Sequence, residues 1–335
     1  MESSEPRLDN SAAPPADGAS DKKSLKARRR GIEARLFKSM AGTMERMSWE
    51  GCRRTGSLVG LVYFKGVRWR REATLANVQL AFPGIGEKRA RQIARRAAQN
   101  FCMTMCEFMH LRTASAREIR DYVEFEGLEA VPPILEQGRG FILLSAHFGN
   151  WEAVAARCAQ EFPLTVVMRP RSNPGLQQCI DAVRHAVGVQ QILKLEAARA
   201  ALRVMQANGA LGLLPDEYAW RDGELFPMFG HLTRFTISPA RLTLMARVPI
   251  VPVFGVRRSP WLSDGRIIAR IPPVLHLQAE PGQREAAVHE GTRRIIEQIE
   301  DIVRQYPEQW MWPHDRWKAE DLELESQTLQ AASET

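Results

Sequence analysis

Gly140-Phe-Ile-Leu-Leu-Ser-Ala-His147-Phe-Gly-Asn-Trp-Glu152 runs from a continuous apolar stretch into a histidine, and a carboxylate follows five residues later. Phe141 to Leu144 are short, apolar and uninterrupted, the pattern of a parallel strand buried on both faces. Asn150 is a strong N-cap, and Trp151-Glu152-Ala-Val-Ala-Ala-Arg157 reads as the first turns of a helix. His147 therefore falls on the loop after a strand, the edge at which open α/β sheets bind their ligands. Glu152 falls in the first helical turn, where the helix dipole favours a carboxylate. The spacing predicts a histidine general base, with Glu152 as the acid that fixes its tautomer and stabilises the imidazolium. The alternative is a surface or capping role for both residues.

The same alternation extends along the chain. Short apolar runs at 141–146, 164–168, 211–214 and 250–254 are separated by helical patterns at 151–160, 174–187, 196–208 and 236–246. A further strand is expected at 266–271 and a long helix at 285–305. This order defines an α/β fold with a mostly parallel central sheet flanked by helices, in a domain spanning 122–318. Residues 319–335 read as a polar tail, and no internal repeat is present.

Ahead of that domain lie two other regions. Residues 1–30 are expected to be a disordered basic leader, Ser/Ala/Pro/Asp-rich at first and ending in Lys22-Lys-Ser-Leu-Lys-Ala-Arg-Arg-Arg30. Residues 31–121 form an N-terminal helical region. Ile32, Leu36, Phe37, Met40, Met44 and Met47 recur at helical spacing. A basic segment leading into such a helix suits an interfacial membrane element, with cations for anionic head groups and apolar bulk for the acyl boundary. Packing against the protein body is the other reading. Residues 87–112 form a long helix whose stripe Ile93, Ala97, Phe101, Met105 and Phe108 faces a core. No run approaches the length of a transmembrane helix; the longest, Gly56 to Phe64, is cut off by Lys65 and Arg68. No secretory signal is recognised.

With 335 residues, 44% hydrophobic and 25% charged, the chain has the composition of a folded globular protein. Its net charge of +7 suggests anionic partners such as nucleic acid, acidic lipids or an acidic carrier protein. Arg68, Trp69, Arg70 and Arg71 interleave basic and aromatic side chains. No zinc finger, RNP-type motif or helix-turn-helix accompanies them, so no nucleic-acid partner is expected. The five cysteines show no zinc-type spacing, which fits free thiols in a reducing compartment.

Three other constellations carry chemistry. Met168-Arg-Pro-Arg-Ser-Asn-Pro174 presents Arg169 and Arg171 at a strand's end, and Arg184 follows in the next helix; arginine's planar fork binds phosphate bidentately. Gly212-Leu-Leu-Pro-Asp-Glu217 places Asp216 at a strand's carboxyl end, as His147 is placed. There it can orient an arginine or bind a polar substrate group. Ser238-Pro-Ala-Arg241 opens a helix whose N-terminus suits an anion. Trp220 to Phe229 reads as a loop able to line an apolar channel.

In this order, the blocks resemble the bacterial lipid A late acyltransferases, a branch of the lysophospholipid acyltransferase superfamily. His147 to Glu152 matches the His-x4-Asp/Glu signature, and Arg169 to Pro174 looks like the Arg-Pro block. Gly212 to Asp216 looks like the Pro-Asp block, and Pro239 to Pro252 like the block with an Arg and a Pro-Val-x-Pro strand. Pro307-Glu-Gln-Trp-Met-Trp-Pro-His-Asp-Arg-Trp-Lys318 looks like the family's ending, and Asn77 to Pro83 like its Asn-Leu-x-x-Ala-Phe-Pro element. The resemblance implies transfer of a fatty acyl chain from acyl-acyl carrier protein to a hydroxyl of a lipid A precursor. His147 and Glu152 would be catalytic, while Arg169, Arg184, Asp216 and Arg241 would bind substrate. Acyl carrier protein, a phosphorylated glycolipid and the membrane surface would be partners, with no cofactor and no metal. The expected location is the cytoplasmic face of the bacterial inner membrane, peripheral or monotopic. Three departures stand out: no N-terminal transmembrane helix, Glu217 where Gln or His is common, and an Asn-Trp pair also found in relatives that acylate other glycolipids. Another acceptor, or a non-enzymatic basic protein that binds membrane or nucleic acid, is the alternative; the latter leaves the motif order unexplained.

Overall fold

A computed structural model describes residues 17–68, 70–193, 197–220 and 223–333. Residues 1–16 of the expected leader, and Trp69, lie outside the described residues. The chain begins with helices α1 (Asp17–Met44), α2 (Trp49–Val62), α3 (Arg71–Ala81), α4 (Glu87–His110) and α5 (Ala116–Tyr122). Residues 17–30 are thus helical rather than part of a disordered leader. Their Ala, Lys and Arg residues are good helix formers, and the Pro-rich composition behind the disorder reading ends at Pro15. Helices α2 and α4 cross closely because α2 carries glycines four residues apart. A Cβ at Gly56 would lie 2.4 Å from the Met103 Cα, and one at Gly60 would lie 2.5 Å from the Gln99 Cα. Any side chain there would push the two backbones apart.

The α/β elements follow in alternation: β1 (Val123–Glu126), α6 (Pro132–Leu135), β2 (Phe141–Leu144), α7 (Trp151–Cys158), β3 (Leu164–Met168), α8 (Pro174–Ala186), β4 (Gln190–Leu193), α9 (Ala197–Gln206) and β5 (Ala210–Leu213). After them come β6 (Gly223–Met228), β7 (His231–Thr236), α10 (Ser238–Ala246), β8 (Ile250–Pro252), β9 (Phe254–Arg257), β10 (Ile267–Arg270), α11 (Arg284–Gln305) and α12 (Ala319–Ser333). A five-stranded sheet in the order β4-β3-β5-β2-β8 is parallel throughout. A smaller sheet, β1-β10-β9, is mixed. Strand β2 sits between β5 and β8, and all four of its residues are buried. Its side chains alternate between two cores. Ile142 and Leu144 join Ile93 of α4 and Ile295 of α11, whereas Phe141 and Leu143 join Ala153 and Val154 of α7.

Two further expectations give way to observed structure. Residues 319–333, read as a polar tail, form α12, which pins its otherwise polar turns to β7: Glu325 accepts from the Leu232 N–H at 2.9 Å, and Leu322 packs on the core. The stretch read as the loop Trp220 to Phe229 contributes β6, paired antiparallel with β7. Phe229 and Gly230 make the tight turn, with φ of 53° and 84°. A two-residue hairpin of this kind needs positive φ at both positions. A phenylalanine, unlike Asn or Asp, gives no local signal that it will adopt one.

Candidate active site

Register builds the site. Strands β2 and β5 pair so that Leu144 lies opposite Leu213. Three residues beyond that pair, one chain reaches His147 and the other reaches Asp216, at the same carboxyl edge of the sheet. The His147 Nδ1 lies 2.9 Å from the Asp216 Oδ1, and the His147 backbone N–H donates to Oδ2 at 3.0 Å. The Trp310 indole N–H donates to that same Oδ2 at 3.0 Å. Asp216 is fully buried, while the imidazole keeps about one-fifth of its surface exposed.

The electrostatics fix the protonation pattern. Burial works against the Asp216 charge, but His147, Arg316 and the Trp310 hydrogen bond outweigh it and hold the carboxyl well below the usual range. An ionised carboxylate only accepts, so Nδ1 carries the proton facing it. The Nε2 lone pair of the neutral ring is left toward the open side, 3.9 Å from the Glu217 Oε1. Burial pushes the His147 pKa down, yet the attraction of Asp216, its hydrogen bond and Glu217 raise it above the ordinary value. The arrangement is an imidazole oriented and made more basic by a buried carboxylate, a pairing suited to accepting a proton.

The sequence reading assigned the orienting role to Glu152, and the structure assigns it to Asp216. Successive helical residues diverge by about 100°. At the start of α7, Trp151 therefore takes the His147 side, its ring 5.2 Å from the imidazole and edge-on. Glu152 turns toward α8 and receives a two-pronged ion pair from Arg184, at 2.6 and 3.2 Å. Arg184 also donates to the Gln191 Oε1 at 3.1 Å. Glu152 and Arg184 thus form a second unit that ties α7 to α8. Arg169 and Arg171 are exposed just past β3, at the same sheet edge as Asp216 but on the far side of β5. Arg241 is not brought to this group; it pairs with Glu285 of α11 at 3.2 Å on the surface.

The segment after α11 supplies contacts the sequence reading did not assign. Met311 N–H donates to the His147 carbonyl at 3.1 Å, and the Arg316 Nε donates to the Asp216 carbonyl at 2.8 Å. Arg316 lies against the Trp310 ring, 3.8 Å from its centroid. Burial lowers the Arg316 pKa to about 10. His314 Nε2 accepts the Tyr218 N–H at 2.8 Å; burial and the nearby Arg316 lower its pKa to about 4, so it stays neutral. These contacts come from the block Pro307 to Lys318, visible in the sequence as a family ending but without roles for its members. Among the described residues, no group of three or more His, Cys, Asp or Glu side chains is placed to hold a metal ion.

A histidine–carboxylate pair lies at the carboxyl edge of a parallel sheet, and the first turn of the following helix carries the glutamate of an arginine–glutamate pair. Residues 43–319 match the bacterial lipid A biosynthesis acyltransferase family, and the chain belongs to it. It is 24% identical over 270 residues to a lipid A biosynthesis lauroyltransferase of Escherichia coli K12, covering 79% of this chain and 84% of that one. It is 23% identical over 263 residues to a lipid A biosynthesis acyltransferase of Haemophilus influenzae Rd, covering 77% and 78%. A phosphatidylinositol mannoside acyltransferase of Mycolicibacterium smegmatis is 22% identical over 191 residues, covering 56% and 59%. The protein is therefore an acyltransferase, and the non-enzymatic alternative falls.

The His147–Asp216 contact generates a pH signature. Replacing Asp216 with Asn removes the attraction that raises the His147 pKa and leaves the burial that lowers it. In Asp216→Asn the acid limb of the acyl-transfer rate profile moves to lower pH, because the base is free at lower pH. The plateau rate falls, by roughly 10²- to 10⁴-fold, because the ring loses its preferred tautomer. An acid limb at the wild-type position would break the link between the two residues.

Proposed function

We propose that this acyltransferase moves a fatty acyl chain from acyl-acyl carrier protein to a hydroxyl of a lipid A precursor at the cytoplasmic face of the inner membrane. The observation that carries the reading is a partly exposed imidazole whose Nδ1 faces a buried, ionised Asp216, which leaves Nε2 as the ring's proton acceptor. Nε2 takes the proton of the acceptor hydroxyl as its oxygen attacks the thioester carbonyl. The new C–O bond forms, the C–S bond breaks, and the imidazolium returns its proton to the departing thiolate. Asp216 stabilises the imidazolium between these events. Direct transfer fits the cysteines: burial raises the thiols of Cys52, Cys106 and Cys158 to about 12 and of Cys102 to about 11, which leaves them poor nucleophiles. In this reading Glu152 holds Arg184 at the site, and Arg169 and Arg184 face phosphate groups of the substrates.

The relatives named for lipid A biosynthesis support the acceptor. The mycobacterial relative supports a second acceptor class, another membrane glycolipid. The N-terminal helices support a membrane surface rather than a span. No described helix is long and apolar enough to cross a bilayer. Ile32, Leu36 and Met40 of α1 form a stripe at four-residue spacing and are exposed, as are Leu58, Val59 and Val62 of α2. Phe37, Ala41 and Met44 of α1 pack inward, which leaves the exposed stripe for a membrane surface. The exposed Arg28, Arg29, Arg35 and Lys38 lie along the same helix, where they can meet anionic head groups.

Purified protein, acyl-acyl carrier protein and a lipid A precursor are expected to give a product heavier by one acyl chain in mass spectrometry, and His147→Ala is expected to give none while melting normally. Transfer by the variant at near wild-type rate would sink the mechanism. A product formed only with a different glycolipid would move the acceptor to the second class. In a separate test, Leu36→Glu with Leu58→Glu should reduce sedimentation with anionic liposomes several-fold; unchanged sedimentation would remove these helices from the membrane contact.

A further inference from the structure

Beneath the histidine loop lies a charge pair sealed from water. Glu107 of α4 and Arg257 of β9 are both fully buried. Arg257 grips the carboxylate with two N–H groups, at 2.8 and 2.7 Å. Glu107 also accepts from the Tyr122 hydroxyl at 2.5 Å and from the Asn150 Nδ2 at 2.7 Å. Arg257 spends its remaining N–H groups on the Asn100 Oδ1 at 3.0 Å, the Gly265 carbonyl at 3.2 Å and the Thr104 Oγ1 at 3.5 Å. A buried ion pair is a poor source of stability, because desolvation offsets much of the attraction. What a saturated pair of this kind supplies is fixed geometry.

That geometry converges on one turn. Asn100 Nδ2 and Thr104 Oγ1 both donate to the Gly149 carbonyl, at 3.1 and 2.7 Å. The Gly149 N–H donates to the Gln309 carbonyl at 2.8 Å, and the Asn150 N–H donates to the Gly255 carbonyl at 3.2 Å. Gly149 has a φ of 56°, and a Cβ there would fall 1.5 Å from the Gly255 oxygen. Asn150, while donating to Glu107, also caps α7 by accepting from the Ala153 N–H at 2.9 Å. His147 lies two residues before Gly149, and Glu152 lies two residues after Asn150. The turn held by the charge pair is the joint between the base and the Glu152–Arg184 unit.

We propose that Glu107 and Arg257 are positioning residues for acyl transfer: acting through Asn100, Thr104 and Asn150, they lock the Gly149 turn and so hold His147 against Asp216. The proposal rests on the reading of His147 as the base. It makes α4, whose cluster lies outside the histidine motif, part of the machinery that sets the rate.

Glu107→Gln tests the charge directly, and Thr104→Val removes one arm of the clamp while keeping its volume and leaving Asn100 to satisfy the Gly149 carbonyl. For Thr104→Val we expect kcat to fall about tenfold, the order of loss that follows a sub-ångström displacement of a catalytic group. KM and the melting temperature stay near wild type, and Thr104→Ser restores the rate. The acid limb of the rate profile also moves to lower pH as His147 slackens from Asp216, with Glu217, Arg316 and His314 as the other titratable groups around the imidazole. Wild-type kcat with an unmoved acid limb would overturn the proposal, whatever the melting temperature. His147→Ala separates the two claims: an inactive His147→Ala beside a kinetically normal Thr104→Val rejects the clamp alone, and an active His147→Ala rejects the underlying mechanism.

Discussion

Leu144 sits opposite Leu213 in a parallel ladder, and the equal three-residue exits from that pair bring His147 and Asp216 to 2.9 Å. A one-residue slip would flip every side chain of β2 to the other face. Both faces are buried in different cores, with Ile142 and Leu144 in one and Phe141 and Leu143 in the other. The packing that makes the sheet stable is therefore the same packing that places His147 beside Asp216. The geometry of this pair is inherited from the hydrophobic cores.

Around that contact the chemistry is asymmetric. Asp216 is enclosed by the His147 backbone N–H, the Trp310 indole and Arg316, so it stays charged in a place that water does not reach. The opposite edge of the imidazole is open. A proton taken at Nε2 creates a cation whose counter-charge is already in place, and little has to reorganise when it forms. Two further segments hold the arrangement. The segment Pro307 to Lys318 reaches the carbonyls of His147 and Asp216, and α4 with Arg257 reaches the Gly149 turn.

Much of this was legible in the sequence, and the limits have physical reasons. The buried strand, the N-cap at Asn150 and the placement of His147 past a strand end depend on local patterns, and they stand as expected. The identity of the orienting acid depends on which strand lies beside β2. Glu152 is nearer in sequence, but Asp216 is nearer in space because β5 pairs directly with β2 and brings its carboxyl end beside that of β2. Both residues are strand-end or helix-start carboxylates; only the register separates their surroundings. Glu107 and Arg257 carried no local signal at all. Glu107 lies within a helix whose inner stripe reads as ordinary core, and Arg257 closes a short strand; they meet across 150 residues of chain. The turn at Phe229 and Gly230 was hidden for a different reason, since its phenylalanine adopts a conformation its type does not announce.

A buried, ionised Asp216 holds His147 with its proton on Nδ1 and raises its basicity. Nitrogen NMR of histidine-labelled protein reads both properties directly across a pH titration. The account predicts a neutral ring protonated at Nδ1, with a titration midpoint above the ordinary value of about 6.5. A neutral ring protonated at Nε2, or a midpoint at or below that value, would contradict it.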